Sequence, residues 1–209
     1  MAKTFIVLFA GVLILGTDVS VAEASRLRLM IPILASTPAD QKQVRFNELF
    51  RWKRDSYSTS GYSVQYVTDS GWGLGYTSTT SEDTAETVPG LDDRLTTTGT
   101  FLDFSYTFGS EMTVQLVYGY QIGQTDLIYK INGWSGTEKY NLSIKSYSGS
   151  AWAINGGYDL GSFEVLLGYR SESTSVTAEK SSESDPYWPE VIDGNIEHTL
   201  VSAGIGFTF

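Results

Sequence analysis

Asp103, Lys145, Glu164, Arg170, Glu172 and His198 are the residues of this chain best set to do chemistry, because each falls on the polar parity of an alternating segment. In FEVLLGYRSE, Phe163, Val165, Leu167 and Tyr169 share one parity, and Glu164, Arg170 and Glu172 share the other. An extended chain would carry these charges on one face. Carboxylates and cations gathered inside a narrow body pair with one another, since an unpaired buried charge is costly. The competing use of the same groups is a gated path for protons or ions. His198 is the only histidine and there is no cysteine, so the donors of an ordinary transition-metal site are lacking. No metal, no cofactor and no catalysis are expected.

A second set of functional groups is cationic. Lys42, Arg45, Arg51, Lys53 and Arg54 lie in STPADQKQVRFNELFRWKRD, Ser36 to Asp55, the one basic patch of a chain whose net charge is −10. Arg forks suit phosphate groups; a solvated loop with interfacial aromatics is the plainer reading. Thr37, Pro38 and Asp40 resemble a helix start, which would gather Phe46, Leu49 and Phe50 into one stripe. Equally, Val44, Phe46, Phe50 and Trp52 alternate as in an extended segment. Near the end, SDPYWPE holds Tyr187 and Trp188 between two prolines, and exposed aromatics of this kind can anchor a protein partner. The acidic stretches show no calcium-loop spacing.

The elements that position these groups are strands. From Ser58 onward the chain alternates with period two. Leu102, Phe104, Tyr106 and Phe108 form one apolar row; Met112, Val114, Leu116, Tyr118, Tyr120 and Ile122 form the next. Others are Trp152, Ile154 and Tyr158, and Val201, Ala203, Ile205, Phe207 and Phe209. Tight turns are expected at Thr68 to Trp72, Phe108 to Glu111 and Asp159 to Ser162, where glycine supplies positive φ. Long polar loops are expected between them, at about 81–94, 131–140 and 178–195. With RLRLMIPILA, Arg26 to Ala35, as a first strand broken by Pro32, the count reaches eight.

Residues 1–24 read as a secretory signal peptide: Lys3, an apolar run from Phe5 to Gly16, then Ala22-Glu23-Ala24 for cleavage. That run is too short to span a bilayer as a helix. The remainder, residues 25–209, is a single domain. Charged residues are 18% of the chain, below the roughly 25% usual for soluble domains, and the acidity argues against nucleic acid as a partner.

Alternation alone fits either a membrane barrel with apolar residues outside or a soluble one with apolar residues around a ligand. The polar face decides, because it carries mostly Gly, Ser, Thr, Asn and Gln rather than the Lys and Glu of a water-facing surface. Small uncharged residues suit a narrow bore. The terminal SAGIGFTF, with Ser202, Gly204, Phe207 and Phe209, resembles the assembly signal of bacterial outer-membrane barrels. The chain as a whole is similar to the small eight-stranded barrels of the outer membrane protein A, X and W families.

That resemblance implies an all-β fold: a closed, antiparallel, up-and-down transmembrane barrel of eight strands. It also implies location in the cell outer membrane and contact with the barrel assembly machinery during biogenesis. Outer-membrane lipid would then surround it, with lipopolysaccharide supplying the phosphates near the basic patch. A structural or surface-interaction role, including adhesion to a surface protein partner, is the expected function. The alternatives are a narrow channel or transporter for small solutes or small apolar molecules, and a secreted soluble ligand-binding barrel. Outer-membrane acyl hydrolases of this size place Ser and an acid beside a lipid-facing His, whereas His198 is expected to point inward.

Overall fold

In a computed structural model, residues 24–36, 43–46, 50–53, 56–88, 91–133, 136–180 and 191–209 are described. Residues 1–23 of the signal-peptide segment, Lys42, Arg54, Tyr187 and Trp188 lie outside them.

The strands are β1 (Arg26–Ser36), β2 (Gln43–Phe46), β3 (Phe50–Lys53), β4 (Ser56–Val67), β5 (Trp72–Val88), β6 (Leu91–Phe108), β7 (Met112–Gly133), β8 (Gly136–Asp159), β9 (Phe163–Lys180) and β10 (Val191–Thr208). Eight of them close an antiparallel barrel in the order β1-β10-β9-β8-β7-β6-β5-β4, while β2 and β3 form a separate hairpin. Closure is made between the ends of the chain: Arg26 pairs with Thr208, Leu27 with Phe207 and Met30 with Gly204. Gly71, Gly109 and Gly161 hold φ of 82°, 95° and 96°, the left-handed backbone that each tight turn requires.

The apolar parity faces outward and the polar parity fills the bore. Leu167 is 61% exposed and Phe207 45%, whereas Gln115 and Asp103 are both 0% exposed. Folding in water would bury the first pair and solvate the second. The inverted arrangement answers to hydrocarbon outside, where a closed sheet pairs ladder donors and acceptors within the protein. A soluble barrel with an apolar interior is therefore not what this chain builds. Tyr62, Tyr76, Tyr120 and Tyr169 end the apolar belt on the long-strand side, and all are exposed. Above them the outward positions become hydroxyl-bearing: Ser78, Thr80, Thr98, Thr100, Ser171 and Ser173.

The described residues of the long polar loops expected from the sequence are strand. β8 runs for 24 residues and β7 for 22, against the roughly 9–11 that cross a membrane. Beyond the belt the outward face no longer carries an apolar row, so the ladder continues without the hydrophobic alternation that would reveal it. Of the helical and extended alternatives for Ser36 to Asp55, the described residues take the extended one, with β2 and β3 paired antiparallel.

Two seams are incomplete. The β1–β4 ladder runs only from Arg26↔Val67 to Met30↔Ser63, and just above it stand Pro32, which has no N–H, and Gly61, whose φ is 152°. A side chain at Gly61 would collide with the carbonyl oxygen of Ser78. The two strands fork apart there. The β7–β8 ladder also breaks between Tyr120↔Ser150 and Leu127↔Leu142, and Tyr147 Oη spans the gap by donating to Ile122 O at 2.8 Å.

Candidate functional site

The sequence RLRL sets Arg26 and Arg28 on the parity opposite Leu27 and Leu29, so β1 delivers two guanidinium groups into the bore near the short turns. Arg28 Nε donates to Glu164 Oε1 at 2.5 Å and its Nη2 to Glu164 Oε2 at 2.9 Å. The same group donates to Thr107 Oγ1 at 3.2 Å and Thr113 Oγ1 at 3.1 Å. One side chain thus ties β1 to β9, β6 and β7. Arg26 Nη2 adds a bond to Asp159 Oδ2 at 3.0 Å. Space for the Glu164 carboxylate exists because Gly206 and Gly157 face it without side chains.

Farther up, Gln115 Nε2 donates to Ser105 Oγ and Asn155 Nδ2 to Gln115 Oε1, both at 2.9 Å. The next layer centres on Arg170 of β9. Its Nη1 donates to Asp103 Oδ1 and Oδ2 at 3.1 and 3.0 Å, its Nη2 to Asp103 Oδ1 at 3.1 Å, and its Nε to Glu172 Oε1 at 2.6 Å. The guanidinium also lies 5.1 Å from the centre of the Phe101 ring, within cation–π range. Asp103 accepts from Thr77 Oγ1 at 2.5 Å and Glu172 from Thr79 Oγ1 at 2.9 Å. Each carboxylate thus has both a cation and a hydroxyl, the condition under which buried charge is tolerated.

Above this layer His198 sits directly across the β9–β10 ladder from Glu172. Its Nε2 is 3.3 Å from Ser81 Oγ. A small cavity lined by Thr79, Ser81, Thr97, Glu172, Thr174 and His198 has room for about one water molecule.

Of the sequence-selected interior charges, Asp103, Glu164, Arg170 and Glu172 meet in these two layers. Lys145 does not, and is exposed. The β8–β9 register shifts between Ile144 and Ser146, which makes Lys145 the extra residue of a bulge, outside the alternation. Arg26, Arg28, Asp159, Thr77 and Thr79 were missed, although the RLRL alternation carries a signal for the two arginines. Arg45, Arg51 and Lys53 lie in β2 and β3. Ser202 pairs with Pro32 and Gly204 with Met30 at the closing seam, and Phe209 is 69% exposed with its ring 6.3 Å from that of Tyr66.

Neither a protein-family model nor a curated protein sequence matches the chain. Solved outer-membrane proteins do resemble it in fold. Outer Membrane Protein W of E. coli is similar at 14% identity, with 90% of this chain and 98% of that one covered and a TM-score of 0.49. Ail, the attachment invasion locus protein of Yersinia pestis, is similar at 12% identity, covering 88% and 99%, with a TM-score of 0.43. The outer membrane protease OmpT of E. coli is similar at 11% identity, covering 92% and 95%, with a TM-score of 0.40.

The side chains of the two layers reach across the bore from opposite walls and hold one another.

Proposed function

We propose that this chain is an integral protein of the bacterial outer membrane, sealed through its bore and serving a structural or surface-interaction role, including adhesion, through its long-strand end. The observation that carries this reading is the Arg170–Asp103–Glu172 layer, backed below by Arg28–Glu164. An eight-stranded barrel leaves an interior that side chains fill, and here the filling is cross-bonded. The amino-terminal signal and the terminal aromatic strand support export and handling by the barrel assembly machinery. We read the Ser81–His198 contact as part of the filling rather than as a catalytic pair, because both oxygens of Glu172 are held by Arg170 and Thr79.

Planar-bilayer recording tests the seal. The wild-type protein should give no ion steps, and Arg28→Ala/Arg170→Ala should introduce them. Stable single-channel conductance in the wild type would overturn the reading.

A second reading is favoured by the fork between β1 and β4: a narrow transporter releasing small apolar molecules sideways into lipid. Flux of such a molecule into liposomes, abolished by a disulfide between Ile31→Cys and Tyr62→Cys, would support it. Absence of flux in the uncross-linked protein would remove it.

A further inference from the structure

The polar filling of the bore does not balance its own charges. Among the described residues that face inward, the guanidinium groups are those of Arg26, Arg28 and Arg170, and the carboxylates are those of Asp103, Asp159, Glu164 and Glu172, three cations against four anions. The lower layer is even, with Arg26 on Asp159 and Arg28 on Glu164. The surplus sits in the upper layer, where Arg170 serves both Asp103 and Glu172. One guanidinium between two carboxylates leaves a buried negative charge, which is costly without a further cation.

The small cavity lies just above this layer, and most of its wall offers oxygen. Thr79, Ser81, Thr97, Gln124, Glu172 and Thr174 line it, and all are buried. Gly99 also lines it and leaves it open: a Cβ there would stand 3.3 Å from the Phe101 ring and 3.5 Å from Gln124 Oε1. Beside the cavity, Gln121 Nε2 donates to Gln124 Oε1 at 2.6 Å. The other end of that carboxamide, Gln121 Oε1, is aimed at the space beside Gly149, where an added Cβ would meet both it and Thr174 Oγ1. Gln121 is 3% exposed, and its Oε1 accepts from no described residue. A buried acceptor without a donor carries a desolvation penalty that a nearby cation relieves.

We propose that the cavity binds one monovalent alkali cation, held by the Glu172 carboxylate, the hydroxyl oxygens of Thr79, Thr97 and Thr174, and the carboxamide oxygens of Gln121 and Gln124. Room for about one water molecule suits a dehydrated potassium or sodium ion. A single carboxylate, already shared with Arg170, is too little charge for calcium, and an oxygen set without thiolate does not select a soft transition metal. The bound ion brings the upper layer to neutrality. A proton on His198 would supply the same charge, but His198 stands on β10, two strands from Gly149 on β8, and would leave the Gln121 acceptor as it is. The site is separate from the surface role proposed above and does not depend on it.

The full chain, refolded into phosphatidylcholine vesicles, is unfolded in urea while potassium chloride is replaced stepwise by N-methylglucamine chloride at fixed ionic strength. N-methylglucamine is too large for the cavity. Once potassium exceeds its Kd, each tenfold increase should raise the folding equilibrium constant of the wild type by about tenfold, as one-site binding to the folded state requires. Gly99→Ala fills the cavity, and His198→Lys tethers an ammonium group beside Glu172; each should abolish that dependence. His198→Lys carries the test if Gly99→Ala does not fold. Wild-type stability indifferent to the exchange overturns the proposal and leaves water, or a proton on His198, as the occupant. Full potassium dependence retained in either folded variant also overturns it, by placing the ion on the acidic surface outside the bore.

Discussion

Arg170 of β9 holds both carboxylate oxygens of Asp103 on β6, with three donor contacts of 3.0 to 3.1 Å across the bore. Strands that are not neighbours in the wall are thereby joined through the middle. The pair is a crossbeam as much as a charge compensation.

Removing the beam should expose its function in stability. Arg170→Leu leaves Asp103 and Glu172 buried without a cation, and should lower unfolding free energy by about 3–5 kcal/mol, the usual cost of stripping one partner from a buried pair. Urea unfolding in vesicles, followed by tryptophan fluorescence, measures it. Asp103→Asn/Arg170→Leu should recover part of that loss, and a strictly additive double variant would show that the two side chains do not act together.

Gly206 sits where any Cβ would press on the Glu164 side chain. Because Arg28 fixes the far end of Glu164, the carboxylate cannot swing aside. Gly206→Ala should therefore cost about 1–3 kcal/mol by overpacking, read from the same unfolding curves; wild-type stability would mean that the lower layer is loosely held.

The height of the apolar belt can be read along one strand. Ile154 is 47% exposed within the belt, and Ser148, farther up β8, is exposed beyond it. Ile154→Arg should destabilise the barrel by about 2–4 kcal/mol, as arginine does on a lipid-facing wall near the bilayer midplane, and Ser148→Arg by at most about 1. Equal costs for the two would misplace the membrane boundary drawn at the tyrosines.

At the fork, β4 has a ladder partner on one side only above Ser63. Hydrogen exchange should accordingly release amides of Ser58 and Ser60 before those of Thr77 and Thr79 in β5, which pairs with β4 and β6. Uniform protection would mean that the β1–β4 seam closes in solution.

Strand identity was legible wherever one face meets hydrocarbon, because only there does apolar alternation persist; Phe163 to Tyr169 shows it cleanly. The same strand from Ser171 carries Ser171, Ser173, Ser175 and Thr177 on its outward parity, and its continuation was hidden for that reason. Interior charges could be found by parity as long as the count stayed in register, as for Glu164, Arg170 and Glu172. One bulge was enough to misassign Lys145. Hydroxyl partners such as Thr77 and Thr79 left no signal, since a threonine that accepts or donates across a bore looks like any other strand threonine. The basic patch was visible as composition, but the pairing of its two halves needed the register of β2 against β3.

The overshoot of β7 and β8 beyond lipid has a mechanical consequence. A tethered coil at a cell surface sweeps many orientations and loses that freedom on capture. Ladder-bonded walls rising like a collar hold their tips at a set altitude and bearing, so whatever meets them encounters a pre-aimed rim. Residues at the rim could change without altering where the rim stands.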